Sequence, residues 1–280
     1  MDTRVQAQKA EQLRKLHTAG KILVLPNAWD VASARVVEEL GYPAIATTSA
    51  GIANVLGYPD GEHISRDEML EMVARIARAV RVPVTADMEA GYGTTLKDME
   101  ETARAVVAAG AVGMNLEDVI GTDESSLVET TLQMDKIRTI CNVSASLGVP
   151  LVVNARTDAY HLMSIGPAET RFERTVERLR LYREAGAGCL FAPGVRDAET
   201  IAKLVKALQA PLNILLSPGC PPIRELEKMG VARASTGSGA MRATLGLVRR
   251  IAKELAEAGT FSTMVEGAIP YAEVNSLLAR

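Results

Sequence analysis

The chain alternates short apolar runs with longer amphipathic stretches, and the pattern returns about every 30 residues along its length. Eight runs rich in apolar or β-branched residues, each ending in polar ones, read as strands at 22–25, 44–48, 84–87, 113–117, 151–154, 188–192, 212–216 and 233–236. Between them apolar residues recur at helical spacing, most clearly over 66–79, 96–109, 132–147, 168–184 and 240–258. Several strands are entered by the same device, a helix-ending glycine and a short turn, as at Leu40-Gly41-Tyr42 and Ala185-Gly186-Ala187.

Eight strand–helix alternations predict the α/β class and a closed (β/α)8 barrel, with residues 1–280 forming one domain. The rival is an open doubly wound sheet. Such sheets usually carry a glycine-rich phosphate turn after the first strand, and here that turn is Pro26-Asn27-Ala28-Trp29-Asp30. Residues 1–20 read as an amphipathic N-terminal helix, and 259–280 exceed the eightfold count, so they pack outside the barrel or against a neighbouring subunit.

Composition narrows the classes. A net charge of −3, spread without a basic block, argues against a nucleic-acid partner. No stretch approaches the ~18 uninterrupted apolar residues of a membrane span, and the N-terminus lacks a signal-peptide core, so the expectation is a soluble, cytoplasmic protein. Cys141, Cys189 and Cys220 are odd in number and widely spaced, which suits reduced structural thiols.

In a barrel of this kind chemistry sits at the C-terminal ends of the strands. Polar residues collect there: Asn27 and Asp30 after strand 1; Thr47, Thr48 and Ser49 after strand 2, with Asp60 in the next loop; Asp87 and Glu89; Glu117 and Asp118; Asn154, Arg156 and Asp158. Asp87 and Glu89 are two apart on an extended segment, so they share one face, with Glu117 one strand over. Carboxylates so close are costly to bury unless a cation or protons neutralise them, and an oxygen-only set favours Mg2+ or Mn2+. The bland alternative, helix caps and loop anchors, is common for any single acid in a strand-to-helix turn.

Arg156 suits a two-point grip on a substrate carboxylate, and equally a structural salt bridge to Glu117 or Asp158. Gly91-Tyr92-Gly93 allows close approach of a ligand, or is simply a turn. Ser49-Ala50-Gly51 reads as a small-residue turn that can offer backbone N–H groups to an anion, although a plain tight turn is commoner. His17, His63 and His161 lack ligand spacing and read as surface or capping residues.

Taken in order, Ser49-Ala50-Gly51, Leu56-Gly57-Tyr58-Pro59-Asp60, Ala86-Asp87-Met88-Glu89-Ala90-Gly91-Tyr92-Gly93, Leu116-Glu117-Asp118 and Ala155-Arg156-Thr157-Asp158 resemble the isocitrate lyase and phosphoenolpyruvate mutase superfamily across nearly the whole chain. The resemblance implies a (β/α)8 barrel whose last helix is swapped between paired subunits in a homotetramer. It further implies Asp87 as the direct magnesium ligand, with Asp60, Glu89 and Glu117 holding the metal's waters. Arg156, Glu117 and Asp60 become the catalytic group, and Ser49, Ala50, Gly51, Asn154 and Arg156 the substrate-binding set. Members act on small 2-oxo or 2-hydroxy acids through an enolate.

The chain departs from the lyases of this superfamily at 119–127. They carry a lid with a Lys-Lys/Arg-Cys-Gly-His sequence, whereas Val119 to Leu127 contain no Cys, His or Lys. Isocitrate cleavage is therefore disfavoured. The mutase lid, Lys-Thr-Asn-Ser-Leu, is matched only faintly at Glu124-Ser125-Ser126-Leu127. The expectation is a magnesium-dependent carbon–carbon lyase or decarboxylase of a small 2-oxo or 2-hydroxy (di)carboxylic acid such as oxaloacetate. A phosphorus–carbon bond enzyme and a non-catalytic 2-oxo acid binder are the alternatives.

Overall fold

The computed structural model describes residues 2–119, 126–162 and 166–279. Most of the 119–127 segment, and with it the lid expectation, lies outside the described residues. Helix α1 (Thr3–Leu16) leads into β1 (Leu23–Leu25), β2 (Asn27–Ala28) and α2 (Val31–Glu39). Then come β3 (Ile45–Thr47), α3 (Ser49–Val55), α4 (Arg66–Ala79), β4 (Val84–Asp87), α5 (Leu96–Ala108), β5 (Gly113–Leu116), α6 (Thr130–Ser146) and β6 (Val152–Arg156). The chain continues through α7 (Ala168–Glu184), β7 (Cys189–Phe191), α8 (Ala198–Leu208), β8 (Leu212–Leu215), α9 (Ile223–Met229) and β9 (Arg233–Ser235), and ends in α10 (Gly239–Glu257), α11 (Ser262–Val265) and α12 (Tyr271–Leu278).

All strands pair in parallel, in the order β1-β9-β8-β7-β6-β5-β4-β3-β2. Because β1 and β2 follow one another in the chain, the two ends of that order are joined and the sheet is a (β/α)8 barrel. The strand expected at 22–25 is β1, and past Pro26, which has no N–H to give a ladder, the same barrel position continues as β2. Asn27 repairs the break: its Oδ1 accepts the Thr236 and Gly237 N–H groups, both at 2.9 Å, and its Nδ2 donates to the Thr47 carbonyl at 2.7 Å.

Strand alternation separates two cores. Ala86, Met114, Leu116, Ala155, Leu190 and Ile214 face outward into the large core beneath the helices. Leu23, Leu25, Ala44, Ala46 and Val152 face inward, where Ala10 and Leu13 of α1 close the floor of the barrel. Gln6 fastens that plug by donating to the carbonyls of Val107 and Ala111 at 2.8 and 3.0 Å. Burying a leucine such as Leu13 contributes about 2 kcal/mol.

Several expectations shift. Asp30 caps α2, accepting the Ser33 N–H at 2.7 Å in a reciprocal capping box, so its place after strand 1 is structural. His63 and His161 are exposed as expected, whereas His17 caps α1 but is buried, at 4% exposure. The cysteines are free, and burial pushes the thiols of Cys141 and Cys189 up to about 11, which suits structural roles. Beyond α10, Leu277 of α12 packs against α2, its carbonyl accepting from Arg35 Nε at 3.0 Å. Among the described residues no helix is long and apolar enough to cross a membrane.

Candidate active site

Strand β4 delivers Asp87 to the C-terminal mouth of the barrel, and neighbouring elements fix its carboxylate. Its Oδ2 accepts both the N–H and the hydroxyl of Ser49 at 2.9 Å, and its Oδ1 accepts Asn115 Nδ2 at 2.9 Å. Asn115 in turn accepts Asn154 Nδ2 at 2.7 Å, and the Asp87 N–H donates to Thr47 Oγ1 at 2.9 Å. A carboxylate has about four acceptor positions, so Asp87 keeps capacity for one more partner.

This ladder takes in two of the residues expected to contact substrate. Ser49 spends its N–H and hydroxyl on Asp87, and Ser49-Ala50-Gly51 is the first turn of α3, capped by Thr48, rather than a free loop. Gly51 is required by packing: a Cβ there would lie 2.9 Å from the Trp29 Cβ. Asn154, fully buried, sits one row below the mouth and reaches Asp87 through Asn115.

Glu89 also arrives by a different route from the extended one. Strand β4 stops at Asp87, and Glu89, Tyr92 and Glu62 all adopt positive φ, at 49°, 58° and 59°. Such conformations cost of order 1 kcal/mol each in non-glycine residues, and they gather at functional sites. They let the Glu89 carboxylate accept the Glu62 N–H at 2.7 Å and the Tyr92 hydroxyl at 3.0 Å, while Glu62 accepts the Tyr92 N–H at 2.8 Å. Gly91 is needed within this turn, since its φ is 101° and a Cβ would meet Met99 Sδ at 2.6 Å.

Arg156, the last residue of β6, makes both of the salt bridges that its position allowed. Its Nε and Nη2 donate to Asp158 at 2.9 and 2.8 Å, and its Nη1 lies 2.5 Å from Glu117 Oε2. A guanidinium has five N–H groups, so two remain for another anion. The Phe191 ring lies beside it, 5.9 Å from centroid to guanidinium carbon.

The electrostatics mark an uncompensated negative site. Burial, then the charges of Asp87 and Asp60, push Glu89 up to about 7. Burial and the Asp87 charge raise Asp60, and burial lifts Glu117 well above the usual carboxylate range against the pull of Arg156. Burial opposes the charge of Arg156, but Asp158 and Glu117 more than offset it. Among the described residues no three His, Cys, Asp or Glu side chains stand ready to bind an ion together. The donors that do gather at the mouth are carboxylate oxygens, the type that suits a hard divalent cation.

Asn115, Glu62 and Tyr92 escaped the reading of the sequence. Asn115 lies two before Glu117 on the inward parity of β5, a signal that was available. Glu62 had none, because its role depends on a left-handed backbone.

The sequence pattern that defines the phosphoenolpyruvate phosphomutase family matches residues 13–256. The chain belongs to that family. Its fold is close to that of a lyase/mutase-class protein from Burkholderia cenocepacia J2315, with a TM-score of 0.91, 36% identity, and coverage of 99% of this chain and 98% of the other. It is 29% identical over 202 residues to a 2-methylisocitrate lyase from Aeropyrum pernix, spanning 71% of this chain and 63% of that enzyme. It is also 29% identical over 222 residues to an oxaloacetate decarboxylase from Pseudomonas putida, spanning 77% and 73%. Relatives in the family are thus lyases and mutases, and the recurrent motifs of the mouth fall within the matched residues.

Proposed function

We propose that the protein is a divalent-cation-dependent carbon–carbon lyase or decarboxylase acting on a small 2-oxo or 2-hydroxy (di)carboxylic acid, oxaloacetate being the simplest candidate. The observation that carries this reading is the Arg156 guanidinium, with two N–H groups left over, set at one mouth with the carboxylates of Asp87, Glu89, Glu117 and Asp60. Mg2+ or Mn2+ would be held directly by Asp87, with the other three acids bonding its waters. Such an ion, when bound, supplies Lewis-acid stabilisation of the oxygen on which charge builds.

The chain's own residues do the rest. Arg156 grips the substrate carboxylate and is kept from swinging by Asp158. Ser49 and Asn115 hold Asp87 at a fixed angle, so the acid needs no rearrangement when charge develops. When the bond to the departing carboxylate breaks, its electron pair moves onto the 2-oxo unit as an enolate and carbon dioxide leaves. The enolate carbon then takes a proton from solvent. This chemistry requires no dedicated base, which accords with a 119–127 segment without Cys, His or Lys.

Loss of oxaloacetate absorbance with and without Mg2+ tests the reading. A rate independent of the ion, or unchanged in Asp87→Ala, would sink it. The family match also favours a second reading, cleavage or rearrangement of a phosphorus–carbon bond. Phosphate release from phosphonopyruvate separates the two. Turnover of neither, with tight oxo-acid binding, favours a non-catalytic binder.

Pairing with a second copy belongs to the same proposal. Leu245, Val248 and Leu255 of α10, Val265 of α11 and Tyr271 of α12 are exposed, an apolar stripe unusual on a solitary chain. Light scattering that reports a monomer at micromolar concentration would remove it.

A further inference from the structure

Behind the mouth lies a polar cluster centred on Asp118. Its side chain is fully buried, yet it accepts four donors: Thr157 Oγ1 at 2.6 Å, the Asp158 N–H at 2.9 Å, Arg178 Nε at 2.8 Å and the Tyr182 hydroxyl at 2.7 Å. Arg178 and Tyr182 stand one turn apart on α7, and Arg178 Nε also donates to the Tyr182 hydroxyl at 2.9 Å. From the same guanidinium, Nη1 donates to Thr130 Oγ1 at 3.0 Å and Nη2 to the Val128 carbonyl. The Val128 N–H closes the loop by donating to the Asp118 carbonyl at 2.8 Å.

We infer that Arg178 is a positioning residue that aims Arg156: by holding Asp118, it fixes the Thr157-Asp158 backbone, and the Asp158 carboxylate then fixes the Arg156 guanidinium. Every link is a direct contact. Arg178 binds Asp118, Asp118 binds the Asp158 N–H, and Asp158 grips Nε and Nη2 of Arg156. The same arginine ties the start of α6 to the end of β5, so two neighbouring strand ends, those of β5 and β6, and the start of a helix are braced by one side chain from the helix layer.

Energetics favour the arrangement as a brace. A carboxylate buried as deeply as Asp118 needs a cation and several donors to remain in place. Without Arg178 three donors to Asp118 stay behind, in Thr157, Asp158 and Tyr182, but the only cation that offsets its buried charge is lost. Asp118 is then free to shift, and Asp158 with it. Arg156 has its own attraction to Glu117, so it would swing toward that acid rather than face the ligand.

The inference rests on the proposed role of Arg156 in holding a carboxylate, and its test keeps the two apart. The full-length protein, labelled with 15N-arginine, is compared with Arg178→Met, Arg178→Lys and Tyr182→Phe, with Arg156→Met serving to assign the Arg156 Nε–H signal. Oxalate is titrated in the presence of Mn2+, and Mn2+ is titrated alone. Arg178→Met is expected to shift and broaden the Arg156 signal and to weaken oxalate about tenfold, the usual scale for a coupled contact, while Mn2+ affinity stays within about twofold. Arg178→Lys recovers part of both losses.

An unchanged Arg156 signal in Arg178→Met overturns the inference, as does equal weakening of oxalate and Mn2+. If Arg178→Met does not fold, Tyr182→Phe, which removes one of the four donors, must move the same signal in the same direction. An unmoved signal there is equally fatal. Failure of the wild-type protein to bind oxalate would overturn the functional reading, while the signal of Arg156 would still decide whether Arg178 positions it.

Discussion

The two ends of one barrel show how the same strands divide their labour. At the mouth, Asp87, Glu89, Glu117 and Asp60 crowd together, and burial and mutual repulsion push Glu89 up to about 7. At the floor, Leu13, Leu23, Leu25 and Val152 form a dry plug, and the one titratable ring there, His17, is kept neutral. The mouth stores unsatisfied charge, whereas the floor stores burial. Substitutions at the first end should therefore cost rate and those at the second should cost stability.

Asp87→Ala carries the largest expected effect. If Asp87 holds the ion, kcat/KM on the active substrate should fall by about 10³-fold, the loss of about 4 kcal/mol, while the melting temperature stays within a few degrees. A comparable loss of stability would blur the contrast between the two ends. Leu13→Ala is its counterpart at the floor. Urea titration should show a loss of about 3 kcal/mol, within the usual range for a buried leucine, with kcat unaltered.

His17 gives the floor a pH signature. Burial first, then the charge of Arg233, lowers its pKa from 6.5 to about 4, and Nδ1 donates to the Leu13 carbonyl at 2.8 Å. The unfolded chain takes up a proton that the folded one refuses, so this contribution is complete above pH 6.5. It is lost as pH falls toward 4, and amounts to roughly 3 kcal/mol. Stability measured across that window should slope less steeply in His17→Gln, and an equal slope would assign the pH dependence elsewhere. The smallest effect belongs to Asp30→Ala, at the mouth in sequence but a helix cap in space. It should lose about 1 kcal/mol of stability and no activity.

Much of the barrel was legible because each element announces itself locally. The helix expected at 66–79 is α4, and its capping box, Ser65 with Glu68, is written in the sequence. Strand β6 runs on to Arg156 rather than stopping at Asn154, which makes the arginine part of the rigid frame. The acids of the mouth were visible as polar ends of apolar runs. Ser49 read as part of a small-residue turn, and only the register of β3 against β4 shows that its N–H and hydroxyl reach Asp87.

The return of strand and helix about every 30 residues determined the fold, and the polar residues that end the apolar runs marked the mouth, since both signals are local to each element. Tertiary structure alone decided the pairings. The three acceptor–donor links at Asp87, the pairing of Arg156 with Glu117, and the hold of Arg178 on Asp118 join residues on separate elements. Their distances depend on strand register and helix packing, which no local pattern encodes. The left-handed turn at Glu62, Glu89 and Tyr92 has the same origin: none of these residues favours positive φ, and the surrounding contacts hold them there.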